Sequence, residues 1–252
     1  MGRFRLLYAA PLFAFIALVA WAFASPIGSS PDDDFHLASI WCANSANTSA
    51  CRPGPTTAER FIPAEIKHSS CYAHQPDVTA ACAARYLHSD SKPTVLTSRG
   101  NFLNQYPPVY YATMSLFVTS NIEVSVVTMR IVNILIFIGM GVGLYLLLPR
   151  FRRPALLWGW GLTVLPLGLF LISSNNPSSW AIIGIGSAWL ALLGYFETTG
   201  RRRIGLAGLF LLAGIMAAGA RSDAALYLVI SIVVVAVLTA EKTRVFLECH
   251  LW

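Results

Sequence analysis

The stretch whose reading decides the fold is residues 124–148, VSVVTMRIVNILIFIGMGVGLYLLL. It carries one charge, Arg130, and outlasts the ~20 apolar residues that take a helix across ~30 Å of hydrocarbon. Working outward, comparable runs occupy 6–24, 155–172, 180–196, 204–220 and 224–240. Composition agrees: 56% of the 252 residues are apolar and 12% charged, where a soluble domain carries about 25% charged. The fold class expected is therefore an all-α polytopic membrane protein. It should have about six transmembrane helices, an interfacial helix and a disulfide-containing exoplasmic loop. The boundaries expected are 1–24 for the first crossing, 25–108 for the loop, 109–121 for an interfacial or re-entrant helix, and 122–252 for five further crossings.

Net charge is +6, but the basic residues sit where a membrane protein keeps its topology signals, so nucleic acid is not an expected partner. The partner expected from composition is the lipid bilayer. Arg3 and Arg5 precede the first run, and Arg150, Arg152, Arg153 and Arg201, Arg202, Arg203 fill short gaps between later ones. If the N-terminus is cytoplasmic, the cytoplasmic segments hold ten basic residues against three acidic ones. The 25–108 segment then holds six against seven. The positive-inside rule favours that orientation, giving a multi-pass plasma-membrane protein with its large loop outside. A cleaved signal peptide is the competing reading of the first run, since Ala22-Phe23-Ala24 resembles a small-residue cleavage site. An apolar stretch of 19 residues exceeds the usual h-region and favours an anchor.

Four of five cysteines, Cys42, Cys51, Cys71 and Cys82, lie in the loop, a pattern suited to two disulfides in an exported segment. Pairing sequence neighbours closes the shortest loops, although three connectivities exist. Zinc, with His68 and His74 beside Cys71, is the other reading, and it lacks a C-x-x-C spacing. Asn47-Thr48-Ser49 matches a glycosylation acceptor.

Polar residues that are costly near lipid gather on the expected outer face. Ser29-Ser30-Pro31-Asp32-Asp33-Asp34-Phe35-His36 reads as a helix start, with hydroxyl, proline and acids in their favoured places. His36, four residues after Asp32 and three after Asp33, shares their helical face. That set suits a general base, and Asp32, Asp33 and His36 are the candidate ligands of a divalent cation. Asn104-Gln105-Tyr106-Pro107-Pro108-Val109-Tyr110-Tyr111 precedes an apolar stretch too short to cross. Arg130 lies about 10 Å into its span at 1.5 Å per residue, and a charge there needs a partner or a watery cavity. Asn175-Asn176-Pro177 and Arg221-Ser222-Asp223 form further outer turns. Gly139, Gly141, Gly143, Gly184 and Gly186 read as small-residue packing faces rather than helix breaks. Walker, Rossmann, H-E-x-x-H and G-x-S-x-G patterns are missing from the sequence, which leaves cytosolic nucleotide chemistry without support.

These motifs resemble those of a known superfamily. Asp32-Asp33-Asp34-Phe35-His36 is similar to the D-E-x-H or D-E-x-x-H motif in the first outer loop of the C-type membrane glycosyltransferases. Met129-Arg130-Ile131-Val132-Asn133 resembles their L-R-L helix, and Arg221-Ser222-Asp223 their R-P-D/E turn. Closer still is the bacterial predicted-membrane-protein group known as domain of unknown function 2142. Its P-x-D-E-x-x-H, Y-P-P-L-Y-Y and N-P-D segments have their counterparts at Pro31 to His36, Tyr106 to Tyr111, and Asn176-Pro177-Ser178, with Ser178 where the acid is expected. The resemblance implies transfer of a sugar from a polyprenyl-phosphate donor to an acceptor at the outer face. On that reading Asp33, with Asp32, Asp34 and His36, is catalytic. Arg130, Arg221, Asp223, Asn175, Asn176, Tyr106 and Tyr110 then bind substrate. Superfamily members usually continue through more helices, so the chain is expected to be an N-terminal portion. A non-catalytic scaffold, a transport component or an inactive truncated transferase is the alternative.

Overall fold

The computed structural model describes residues 2–44, 51–87 and 93–250, with side chains from residue 9 to residue 240 within those segments. The Asn47-Thr48-Ser49 acceptor lies outside the described residues. The protein is mostly helical. In chain order the elements are α1 (Gly2–Ala24), α2 (Asp33–Ala43), β1 (Arg52–Pro53), β2 (Arg60–Pro63), α3 (Ala64–His68), α4 (Ala84–Leu87), β3 (Thr94–Thr97) and α5 (Val109–Ser115). Then follow α6 (Ile122–Leu147), α7 (Arg153–Thr163), α8 (Pro166–Ile172), α9 (Ser178–Glu197), α10 (Gly200–Ala220) and α11 (Ser222–His250).

Four helices are long and apolar enough to cross a membrane: α6, α9, α10 and, over Ser222–Ala240, α11. The expected crossing at 155–172 is not one straight helix. Pro166 cannot donate to the preceding turn, and α7 and α8 meet at 98° across the Thr163–Pro166 break. Counted as one bent span they make a fifth. The apolar part of α1 runs over Ala9–Ala24. The bundle has two recognisable ends. The described residues of 25–121 and the 173–177 and 221–223 turns gather at one, the loop end; Arg150–Arg153 and the 197–203 turn lie at the other, the arginine end.

Local chemistry explains the helix limits. Asn121 caps α6 by accepting from the Val124 N–H at 3.0 Å, and Pro149 follows its C-terminus. Close helix contacts use glycine where a side chain has no room. A Cβ on Gly184 would come within 2.6 Å of the Ala213 carbonyl on α10, and one on Gly186 within 2.8 Å of the Trp160 ring. The expectation of a packing face fails for Gly139 and Gly141, where a Cβ would meet nothing within 4 Å. Those two face outward from α6.

The 25–108 segment is more than a loop. It carries an antiparallel sheet in the order β1-β2-β3, with Arg52 opposite Phe61 and Arg60 opposite Thr97. This corrects the all-α expectation. Two cysteine pairs staple it, Cys42–Cys51 and Cys71–Cys82, with Cα atoms 5.1 and 6.2 Å apart. That is the neighbour pairing, and it leaves neither Cys71 nor Cys82 available to zinc. The interfacial element expected at 109–121 is helical only over Val109–Ser115.

Candidate functional site

Between α1 and α2 the backbone turns sharply, and two residues make the turn. Gly28 adopts φ +85°, and a Cβ there would lie 2.5 Å from the Ser69 carbonyl group, so glycine is required twice over. Asp32, at φ 55°, takes the left-handed conformation that aspartate tolerates better than most residues. Asp32 is the N-cap by position but makes no side-chain capping bond. The hydroxyl cap expected from Ser29-Ser30 is therefore not what starts α2.

This turn sends the three aspartates in different directions. Asp33 points inward and is 1% exposed. The Gly28 N–H donates to its Oδ2 at 2.9 Å, while Oδ1 has no hydrogen-bond partner among the described residues. Burial raises its pKa to about 6, against the pull of the Arg130 charge and the Gly28 N–H. Asp32 and Asp34 face outward, and Arg99 donates to both, at 3.0 Å to Asp32 and at 2.8 and 2.9 Å to Asp34. Burial alone would raise the Asp34 pKa, but the Arg99 hydrogen bonds and charge hold it below its usual value. Among the described residues no group of three or more His, Cys, Asp or Glu side chains is arranged to hold a metal ion. The candidate cation set of Asp32, Asp33 and His36 does not converge, because Asp33 turns to Gly28 and Asp32 to Arg99.

His36, one turn along α2, sits in an aromatic enclosure. Its Nδ1 lies 2.9 Å from the Tyr111 hydroxyl, and the Phe35 and Tyr106 rings meet it edge-on at 5.4 and 5.6 Å. Burial lowers its pKa to about 4, so the imidazole is neutral at physiological pH. Tyr106 is itself clasped: Asn101 donates to the Tyr106 carbonyl at 2.9 Å and accepts from its N–H at 2.8 Å. The Arg221 guanidinium lies 5.6 Å over the Tyr106 ring, donates to both Asp223 oxygens at 2.9 Å and reaches Ser178 at 3.2 Å. Arg221 and His36 thus share one aromatic wall. Tyr110 is buried on its other side, edge-on to Trp180.

Arg130 has a different surrounding from the expected phosphate. It donates to the Ala22, Ser25 and Pro26 carbonyls at 2.8, 2.6 and 3.0 Å. Ala22 is in the last turn of α1, and Ser25 and Pro26 follow directly after it, so a cation buried to 1% exposure caps one helix from another. Its Nε has no partner among the described residues, and it lines a cavity of about 290 Å³ with Glu123 and Ile27. The asparagine turn is equally occupied. Asn176 donates to the Pro31 carbonyl at 2.9 Å and accepts from the Ser178 N–H, and Asn175 makes a longer 3.4 Å contact to Val126.

The sequence-predicted residues lie at the loop end but do not form one cluster: Asp33 is near Arg130, and His36 shares a wall with Tyr106, Arg221 and Asp223. Asp32 and Asp34 turn to Arg99, Asn175 and Asn176 to backbone carbonyls, and Tyr110 to Trp180. Sequence reasoning did not single out Arg99 or Gly28, and it quoted Tyr111 and Asn133 within motifs without giving either a role. Asn133 accepts from Trp180 at 2.9 Å and donates to the Ser174 carbonyl at 2.8 Å. Its spacing of three residues from Arg130 on an apolar helix is a signal that could have found it. Arg99 looks like any loop charge, and nothing local marks it.

No curated protein and no solved structure matches the chain. The family model described as predicted membrane protein (DUF2142) matches residues 15–247. With nearly all of its length so matched, and its motifs brought to one end of a helical bundle, the chain belongs to the DUF2142 family of predicted membrane proteins.

Proposed function

We propose that the protein is a membrane glycosyltransferase that moves a sugar from a polyprenyl-phosphate donor to an acceptor hydroxyl. The loop end is exoplasmic on this reading, the N-terminus is cytoplasmic, and all six apolar segments cross the plasma membrane. The supporting observation is Asp33: a buried carboxylate with one unpartnered oxygen and a pKa raised to about 6. A base with that pKa is ionised at neutral pH yet basic enough to take a proton. Asp33 accepts the acceptor's proton as its oxygen attacks the anomeric carbon. The bond from that carbon to the phosphate oxygen breaks, and the polyprenyl phosphate leaves with the electron pair and with inversion at the sugar. Because Arg130 has three N–H groups committed to carbonyls, the phosphate falls to Arg221, which is 29% exposed. Tyr106 supplies a flat wall beside it, and Asp223 orients the guanidinium. Asp33 lies sealed beneath the 25–31 turn, so the acceptor reaches it only when that turn lifts from Ser69.

The test adds radiolabelled polyprenyl-phosphate sugars to the chain in lipid bilayers and follows label into acceptor. Transfer should rise with pH through about 6. Asp33→Asn should cut turnover roughly 100-fold or more with donor binding retained, while Arg221→Ala should weaken donor binding. Full activity in the Asp33→Asn protein would end the assignment. The other reading is a non-catalytic scaffold, and the observation favouring it is the capping of α1 by Arg130, a purely structural use of a buried charge.

A further inference from the structure

At the arginine end, α7 stands away from the bundle. Of its eleven residues only Leu156 is buried, and the 98° bend into α8 tilts it away from α9. The gap is a groove of about 540 Å³. Its walls are apolar: Gly159 and Trp160 on one side, Ile185 and Trp189 on the other, with Arg152 at its mouth.

We propose that this groove holds one acyl chain of an anionic phospholipid from the leaflet at the arginine end. The lining residues are half-buried or exposed rather than buried, so the groove opens to the surface that a bilayer covers with acyl chains. The α9 wall runs from Ile182 to Leu193, about 16 Å at 1.5 Å per residue, so a chain entering beside Arg152 follows α9 past its middle. Charge at the mouth selects the headgroup. Arg150, Arg152 and Arg153 stand in one turn, with Arg201, Arg202 and Arg203 across from them at the start of α10. Glu197, which pairs with Arg152 at 2.6 Å, brings one negative charge against these six arginines. Such a surplus favours anionic over zwitterionic lipid. The occupancy is separate from sugar transfer, because neither Asp33, His36, Arg130 nor Arg221 lines the groove.

The experiment places the full chain in phosphatidylcholine nanodiscs with a trace of phosphatidylglycerol bearing a mid-chain diazirine, photolyses it, and maps adducts by peptide mass spectrometry. Adducts should concentrate on 155–163 and 182–193, and the phosphatidylglycerol probe should label these at least about threefold more than a phosphatidylcholine probe. Gly159→Leu should lower groove labelling several-fold, since a Cβ there enters open space and the exchange favours helix. Gly139→Leu, equally open but on α6, should leave it unchanged. Even labelling of the outward residues Leu135 and Leu146, equal labelling by the two headgroups, or displacement of the probe by a polyprenyl phosphate would each overturn the assignment.

Discussion

The two ends of the helical bundle handle polar groups in opposite ways. At the arginine end polar contacts are shallow and mostly local: Arg152 pairs with Glu197, Arg203 reaches Tyr195, and Arg153 lies over the Tyr145 ring. At the loop end they are buried and long-range, joining Arg130 to Ala22, Ser30 to Ser174, and Asn176 to Pro31 across more than a hundred residues of sequence. A buried polar group without a partner is destabilising, so each of these contacts fixes where one segment sits against another. The arginine end needs its charges only to face water and lipid headgroups. The loop end uses its polar groups to define a shape, and within it Asp33 holds one buried carboxylate oxygen without a partner among the described residues.

The largest expected difference between the ends comes from removing one arginine from each. Arg130→Met leaves the last carbonyls of α1 and the Asp33 carboxylate without their buried cation, a loss of about 3–5 kcal/mol by analogy with broken buried pairs. Arg152→Met removes a partly exposed bidentate pair and should cost about 1 kcal/mol. Thermal unfolding of both variants in lipid nanodiscs measures this, and equal shifts in Tm would erase the distinction between the ends.

A subtler contrast is confined to the loop end. Asp33 has a folded pKa of about 6 against 3.8 unfolded. The folded state therefore holds the proton more tightly, and stability falls as pH rises from about 4 to about 6. His36 runs the other way, with about 4 folded against 6.5 unfolded, so its contribution is full above 6.5 and is lost as pH falls toward 4. At 1.36 kcal/mol per pKa unit each is worth about 3 kcal/mol, and they nearly cancel. Tm should therefore depend less on pH between 4 and 6 in the unaltered protein than in either single variant. Asp33→Asn, which still accepts from Gly28, should leave a Tm that drops on acidification, and His36→Gln one that drops as pH rises. Parallel profiles in the two variants would refute the opposed pair.

Orientation can be checked without any activity. A cysteine placed at Asn175 should react with an impermeant maleimide from outside intact cells, and one placed at Arg202 only after permeabilisation. The reverse pattern would put the buried polar network on the cytoplasmic side and remove the proposed site with it.

How much of this was legible in the sequence follows from the range of each interaction. Spans are sums over a window, so hydropathy located α6, α9, α10 and the apolar Ser222–Ala240 part of α11 to within a few residues. Cysteine pairing was legible because short loops close most easily. The break between α7 and α8 had its signal in Pro166, but a windowed average passes over one proline. Partner choice was not legible. Arg130 was marked as a buried charge, yet whether it met phosphate or carbonyl depended on where α1 ended beside it. Asp32, Asp33 and Asp34 looked equivalent until Gly28 and the left-handed Asp32 turned one inward and two outward.

Arg99 is the residue that the sequence hid most completely, and its removal should have the smallest effect. It reaches Asp32 and Asp34 from just beyond β3, and its side chain is 54% exposed beside partners at 64% and 27%. Exposed pairs of this kind are worth about 0–1 kcal/mol, so Arg99→Gln should shift Tm little, and less still in high salt. The Asp34 carboxyl should nonetheless rise toward its ordinary value, because Arg99 supplies the hydrogen bonds and charge that hold it down against burial. Carboxylate titration by NMR reads that shift directly. If Arg99 serves only to restrain the outer acids, the Asp33 titration near 6 should stay where it is, since the charges acting on it are those of Arg130 and Asp34 rather than Arg99. A large fall in the Asp33 value would mean that the inward and outward aspartates are one coupled cluster, and the division of labour drawn between them would not survive.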